Sequence, residues 1–310
     1  METRRAPLWM LPNLLSLDAP VVALVWMWML AHALRVDYLQ PAAWWVLSLS
    51  IWCIYVGDRL LDAWRNPSLR EHSPRHRFHW KWRFPLAALI LVAGGVSIWQ
   101  AMYALPRGMF SVGLVLSFFC VLYFLLAATA GKGVPFLKNF VAGMVFAMGV
   151  GIPVVVSDAS MLAKDLGDVT YAYQHNTIVD AAWNLAAMIL SALRYIFLGS
   201  KEVLIFGLLC VMNITAIDLW EKAEKAADEN TASQYESTLT LGLIILAGGT
   251  LVFAAFRADD FSKPYYYALM SAAALLQLLN HYRTRFSMRS LRVLADVAMI
   301  LPLPIVLVSH

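Results

Sequence analysis

The chain is short of charge. Only 14% of its 310 residues are Asp, Glu, Lys or Arg, against about a quarter in ordinary soluble domains. A water-soluble globular protein is therefore not expected. Cysteine is scarce too. Cys53, Cys120 and Cys210 all lie in apolar runs with no C-x-x-C spacing, which argues against a disulfide framework or a zinc centre and reads as small core hydrophobes. There is no Walker loop, no G-x-G-x-x-G and no Ser-His-Asp pattern, so nucleotide-driven pumping and serine hydrolysis have no support. The opening METRRAPLWMLPNLLSLD has no compact apolar core followed by a small-residue cleavage site, and no cleavable signal peptide is expected. The modest formal charge of +4 gives no expectation of a nucleic-acid partner.

What the chain has is hydrophobic length. It is 61% hydrophobic with 12 Trp, a composition suited to an integral membrane protein with aromatic belts at both interfaces. Nine apolar runs, with their polar ends included, are long enough to cross roughly 30 Å of hydrocarbon as helices. They are Val21–Leu34, Ala42–Gly57, Phe84–Leu105, Met109–Thr129, Phe136–Val156, Glu202–Leu219, Leu239–Phe256, Tyr265–Tyr282 and Leu291–Val308. The expected fold class is all-α: one polytopic transmembrane helical bundle over residues 1–310. Residues 157–201 form an inserted segment, with a loop over Ser157–Val179 followed by the doubtful run Asp180–Gly199.

Charge decides that doubtful run. With nine crossings, most Lys and Arg fall on one side: Arg4 and Arg5, the Arg59–Arg83 loop, Lys132, Lys138, Lys222, Lys225 and the Arg283–Arg292 cluster. A tenth crossing would send the last two groups to the opposite face. The positive-inside rule favours nine, with the N-terminus inside. Asp180–Gly199 then reads as a helix at the outer interface or half-inserted.

Two acidic clusters fall at the cytoplasmic face under this topology. Asp58, Asp62 and Asn66 are spaced i, i+4 and i+8, on one helical face about 6 Å apart along the axis. Oxygen ligands in that register suit a hard divalent cation. The solvated end of a span is the alternative. Asn213, Asp218 and Glu221 end the sixth run; Asp218 and Glu221 share a face, with Glu221–Lys225 expected as an i, i+4 pair. The cationic loop beside the first cluster, with Arg65, Arg70, Arg75, Arg77, Lys81 and Arg83, suits a phosphate. His72, His76 and His79 form a third cluster, open to metal but more simply part of a basic loop facing anionic lipid. Asp296, one turn after Arg292, reads as an internal pair. Tyr265–Tyr267 read as belt residues, and Gly242, Gly248 and Gly249 as close-packing positions.

With two carboxylate faces on one membrane side, the chain resembles the UbiA superfamily of intramembrane prenyltransferases. That family has nine transmembrane helices and an NDxxDxxxD motif ending the second. A second Asp-rich motif ends the sixth. Asp58, Asp62 and Asn66 fall on the first motif; Asn213, Asp218 and Glu221 fall near the second. The stretch KGVPFLKNFVAGMVFAMGV resembles the fifth helix, with Lys138 near its start. The resemblance implies Mg²⁺-dependent transfer of a polyprenyl group from an allylic diphosphate to a small aromatic or quinone-precursor acceptor. It implies Asp58, Asp62, Asn66 and Asp218 as catalytic, and Asp58, Asp62, Asn66, Asn213, Asp218 and Glu221 as metal ligands. Arg70, Arg75, Arg77 and Lys138 would bind diphosphate. The implied site is the bacterial cytoplasmic membrane, facing the cytoplasm, with membrane lipid as a further partner. Arg59 and Asn66 stand where the family places acids. That departure keeps open a non-catalytic relative that binds a prenyl lipid. An ion-coupled transporter fits less well, because its acids belong near mid-span.

Overall fold

Prolines mark where helices begin. A computed structural model describes residues 11–65, 74–129, 135–158, 200–256 and 260–309. Pro41, Pro74 and Pro135 are the first residues of their helices, and Pro264 the second of its own. Proline fits there because the first turn leaves its N–H groups unused anyway. In order the helices are α1 (Leu11–Leu14), α2 (Asp18–Ala33), α3 (Pro41–Arg65), α4 (Pro74–Lys81), α5 (Arg83–Ala104) and α6 (Arg107–Thr129). Then follow α7 (Pro135–Asp158), α8 (Lys201–Glu224), α9 (Glu229–Phe256), α10 (Lys263–His281), α11 (Met288–Ile300) and α12 (Leu303–Leu307). No strand occurs among the described residues. That is the expected all-α class, and it follows from chemistry: in hydrocarbon a helix pairs its own backbone groups within one segment.

Five helical stretches are long and apolar enough to cross a membrane: Arg83–Ala104, Phe136–Ser157, Lys201–Glu224, Glu229–Phe256 and Met288–Leu307. The last is interrupted at Pro302, which separates α11 from α12. Asp18–Ala33, and the Arg107–Tyr123 part of α6, are shorter apolar stretches. Helices α3 and α10 are long enough, but Trp, Ser and a charged end in α3 and Tyr, Gln and Asn in α10 dilute their hydropathy. The run Asp180–Gly199 lies outside the described residues.

The chain divides into two compact units, one of residues up to Val25 with Gln40–Leu105, the other of Trp26–Leu39 with Pro106 onward. In the first unit α3 packs on α4 and α5. Its inward residues are Ala43, Leu47, Ile51, Val56, Arg59 and Ala63, a helical stripe that includes a buried guanidinium. Small polar groups bring α3 and α5 together: the Ser50 and Ser97 hydroxyls lie 2.9 Å apart, and the Cys53 thiol donates to the Ile90 carbonyl at 3.7 Å. The cysteine packs as a small hydrophobe, and all three are free.

In the second unit α7 and α8 pack along glycines. A Cβ on Gly143 would stand 2.6 Å from the Val211 backbone nitrogen, and one on Gly151 would stand 2.8 Å from Val203. Gly207 lies as tightly against Met144. Close backbone approach is thus concentrated at this pair. Among the glycines expected in such a role on α9, Gly242 meets Met212, whereas Gly248 and Gly249 face open space. The tyrosine expectation is also corrected. Tyr265 and Tyr266 are fully buried and only Tyr267 is exposed. Tyr265 stands edge-on to Trp26, which stacks on Phe206 at 4.6 Å and donates to the Met299 carbonyl. The Tyr266 hydroxyl donates to Glu202 at 2.7 Å. Each tyrosine has a polar partner, so burial does not strand its hydroxyl.

Candidate functional site

The first acidic face forms on the last two turns of α3. Asp58 and Asp62 are half-buried there, one turn apart and so about 6 Å along the axis. Asn66 and Arg70 lie outside the described residues. Asp62 makes no ion pair or hydrogen bond among the described residues.

Between the two carboxylates stands Arg59, and its role was not legible in the sequence. It points the other way, into the unit, and is only 6% exposed. Its Nη1 donates to the Asn13 carbonyl at 2.7 Å and to the Ser16 hydroxyl at 2.5 Å. Its Nη2 lies 4.0 Å from Asp18, which also accepts from Asn13 Nδ2 at 2.6 Å. A buried guanidinium needs its donors met, and the α1–α2 connection supplies the acceptors. Ser16 holds φ 59° there, a conformation costly for a residue other than glycine and kept only when surrounding contacts dictate it.

His79 on α4 completes the cluster, and is fully buried. Its Nδ1 lies 2.8 Å from the Arg75 carbonyl and therefore carries the proton; its Nε2, 3.4 Å from the Ser16 hydroxyl, is left to accept. Burial first, and then the charges of Arg59 and Arg75, lower the imidazole pKa to about 4 against the opposing pull of the carbonyl bond. The ring is neutral at physiological pH. The pairing has the outline of a serine nucleophile and its base. Its chemistry is otherwise, because Ser16 is fully buried, and such an imidazole is a weak base near neutrality. The cluster is a polar lock fastening the chain before α2 to α3 and α4.

The second acidic cluster belongs to the other unit, at the end of α8. Asp218 accepts from Lys222 at 2.7 Å, and Glu221 pairs with Arg292 on α11. The expected Glu221–Lys225 pair is thus replaced by a contact 71 residues away in sequence, and Lys222 takes the i, i+4 role with Asp218. Near them, Asn213 Oδ1 and Thr215 Oγ1 are buried with no hydrogen-bond partner among the described residues. So is Asn139 Nδ2 on α7. The α7–α8 contacts place Gly143 against Val211 and Gly151 against Val203. One turn further in that antiparallel register, Asn139 stands level with Thr215. Neither residue was singled out by sequence; the signal was a polar residue four positions from a tight glycine contact. Lys138, beside Asn139, is exposed, with its ammonium 5.9 Å from the Tyr123 ring centroid.

The sequence-predicted residues therefore divide: Asp58, Asp62, Arg75 and Arg77 in the first unit, Lys138, Asn213, Asp218 and Glu221 in the second. No group of three His, Cys, Asp or Glu side chains converges on a metal position among the described residues. The Asp58–Asp62 face fits a hard cation by donor type. Asp218 and Glu221 would have to exchange Lys222 and Arg292 for one. His72 lies outside the described residues, while His76 and His79 turn inward on α4. Comparison with known proteins finds no matching family model, no similar curated protein and no similar solved structure.

Proposed function

We propose that the chain is a divergent intramembrane prenyltransferase of the UbiA kind, transferring a polyprenyl group from an allylic diphosphate to a small acceptor at the cytoplasmic face. The observation that carries this reading is the Asp58–Asp62 face: two carboxylates in helical register at the end of an apolar helix, with Asp62 unengaged among the described residues. Mg²⁺ held by Asp58 and Asp62 would offset charge growing on the departing diphosphate, a contribution of several kcal/mol in such reactions. Arg75, in the same unit, is the cation put forward for the same phosphates, and Arg70 joins it by sequence. The topology proposed is nine spans, adding α2, α3, α6 and α10 to the five long apolar stretches, in a bacterial cytoplasmic membrane.

The paired state of the second cluster favours a second reading. Asp218 and Glu221 have cationic partners within the protein, as in a relative that binds a prenyl lipid without turning it over. One experiment separates the two. Purified full chain is incubated with labelled polyprenyl diphosphates and aromatic acceptors, with and without Mg²⁺. Mg²⁺-dependent diphosphate release that drops at least a hundredfold in Asp62→Asn supports transfer. Retention of prenyl lipid by folded protein with no release at any chain length assigns the binding role instead.

A further inference from the structure

Helix α5 is a ruler for the bilayer. Its flanks carry exposed aromatics at both ends, Trp82 and Phe84 at the start, Trp99 and Tyr103 near the finish. Phe84 and Tyr103 are about 29 Å apart along a helix axis, close to the roughly 30 Å depth of the hydrocarbon. Between them Leu89, Leu91, Val92 and Ile98 are exposed, as lipid-facing residues should be. The aromatics then mark the two interfaces, and α4, separated from α5 by Trp82 alone, lies at headgroup level.

At that level α4 is two-faced. His76 and His79 are buried, whereas Arg77 and Lys81, at i, i+4, are exposed. Arg83 follows, its guanidinium 4.6 Å from both the Trp80 and Phe84 ring centroids and donating to the Trp80 carbonyl. From Pro74 to Ala104 there are four cations and no carboxylate. We infer that the Arg77–Lys81 face of α4, with Arg83, is a binding surface for the headgroups of anionic phospholipids. A cation near a charged bilayer surface adds roughly a fivefold preference, and aromatic rings holding Arg83 keep its charge at the interface rather than in the apolar layer. The inference is independent of the prenyl-transfer reading and takes Arg77 away from the substrate diphosphate.

The test reconstitutes full-length protein in mixed phosphatidylcholine–phosphatidylglycerol nanodiscs and counts retained lipids by native mass spectrometry. Wild type should retain phosphatidylglycerol in preference, and high salt should weaken that preference. Arg77→Gln with Lys81→Gln should lower it by about twenty-five-fold, and Lys81→Gln alone by about fivefold. Unfolding in pure phosphatidylcholine checks that each variant is folded; the single variant carries the test should the double fail. Unchanged preference in folded Lys81→Gln overturns the inference. So does displacement of the retained lipid by soluble pyrophosphate, which would return these cations to a diphosphate pocket.

Discussion

Replacing Arg59 by Met keeps most of the side-chain length and removes every donor. The structure allows the cost to be worked out. Two hydrogen bonds from a charged donor are lost, to the Asn13 carbonyl and the Ser16 hydroxyl, each worth about 1.5–3 kcal/mol. Asp18 loses its nearby positive charge but keeps the Asn13 amide. Against these stands the relief of no longer burying a guanidinium, which costs several kcal/mol in its own right. Removing one partner from a buried charged cluster ordinarily destabilises by about 3–5 kcal/mol, and the retained Asn13–Asp18 bond puts the expected loss near 3 kcal/mol. Arg59→Lys keeps the charge but not the two-pronged donor, and should recover about half. Hydrogen exchange in detergent reads this directly, since the loss should appear as faster exchange over residues 11–20 and α4, with α8–α10 unchanged. If Arg59→Met leaves those segments as protected as in wild type, the lock does not hold them, and the buried guanidinium has another purpose.

His79 predicts a pH dependence with a definite sign. Its folded pKa of about 4 lies below the ordinary 6.5, so the unfolded chain takes up the proton first and stability falls as pH drops from 6.5 towards 4, by at most about 3 kcal/mol. His79→Gln should flatten that part of a pH–stability curve; an unchanged slope would contradict the assignment. Gly143→Ala drives a Cβ into the Val211 backbone and should cost about 2–3 kcal/mol in thermal unfolding, whereas Gly248→Ala meets nothing and should stabilise α9 by about 0.5–1 kcal/mol. Trp220→Phe leaves Asn280 Oδ1 without its indole donor in a buried setting, for an expected loss of about 1–3 kcal/mol by denaturant titration.

The candidate site was legible where it depends on spacing along one helix and illegible where it depends on contact. Asp58 and Asp62 share a face of α3 because the α-helical period puts them there, whatever surrounds the helix. Nothing local said that Arg59, one residue away, would turn inward to Asn13 and Ser16. The sequence placed Glu221 beside Lys225, since i, i+3 and i, i+4 neighbours are the only side-chain partners a single helix can offer. The partner is Arg292, brought there by the packing of α8 and α11. The same limit explains the tyrosines: three in a row at a helix end look like an interfacial belt until Trp26 and Glu202 cover two of them.

By itself the sequence determined that this protein is helical and rich in membrane-length apolar segments. It also favoured the places where four helices begin, since Pro41, Pro74, Pro135 and Pro264 suit first turns. Tertiary structure decided which of several chemically equivalent residues is buried. Gly143 rather than Gly249 touches a neighbour, Ser16 rather than a solvent molecule receives Arg59, and His79 is held neutral by what encloses it. Such choices rest on distances between segments far apart in the chain, which composition and periodicity do not encode.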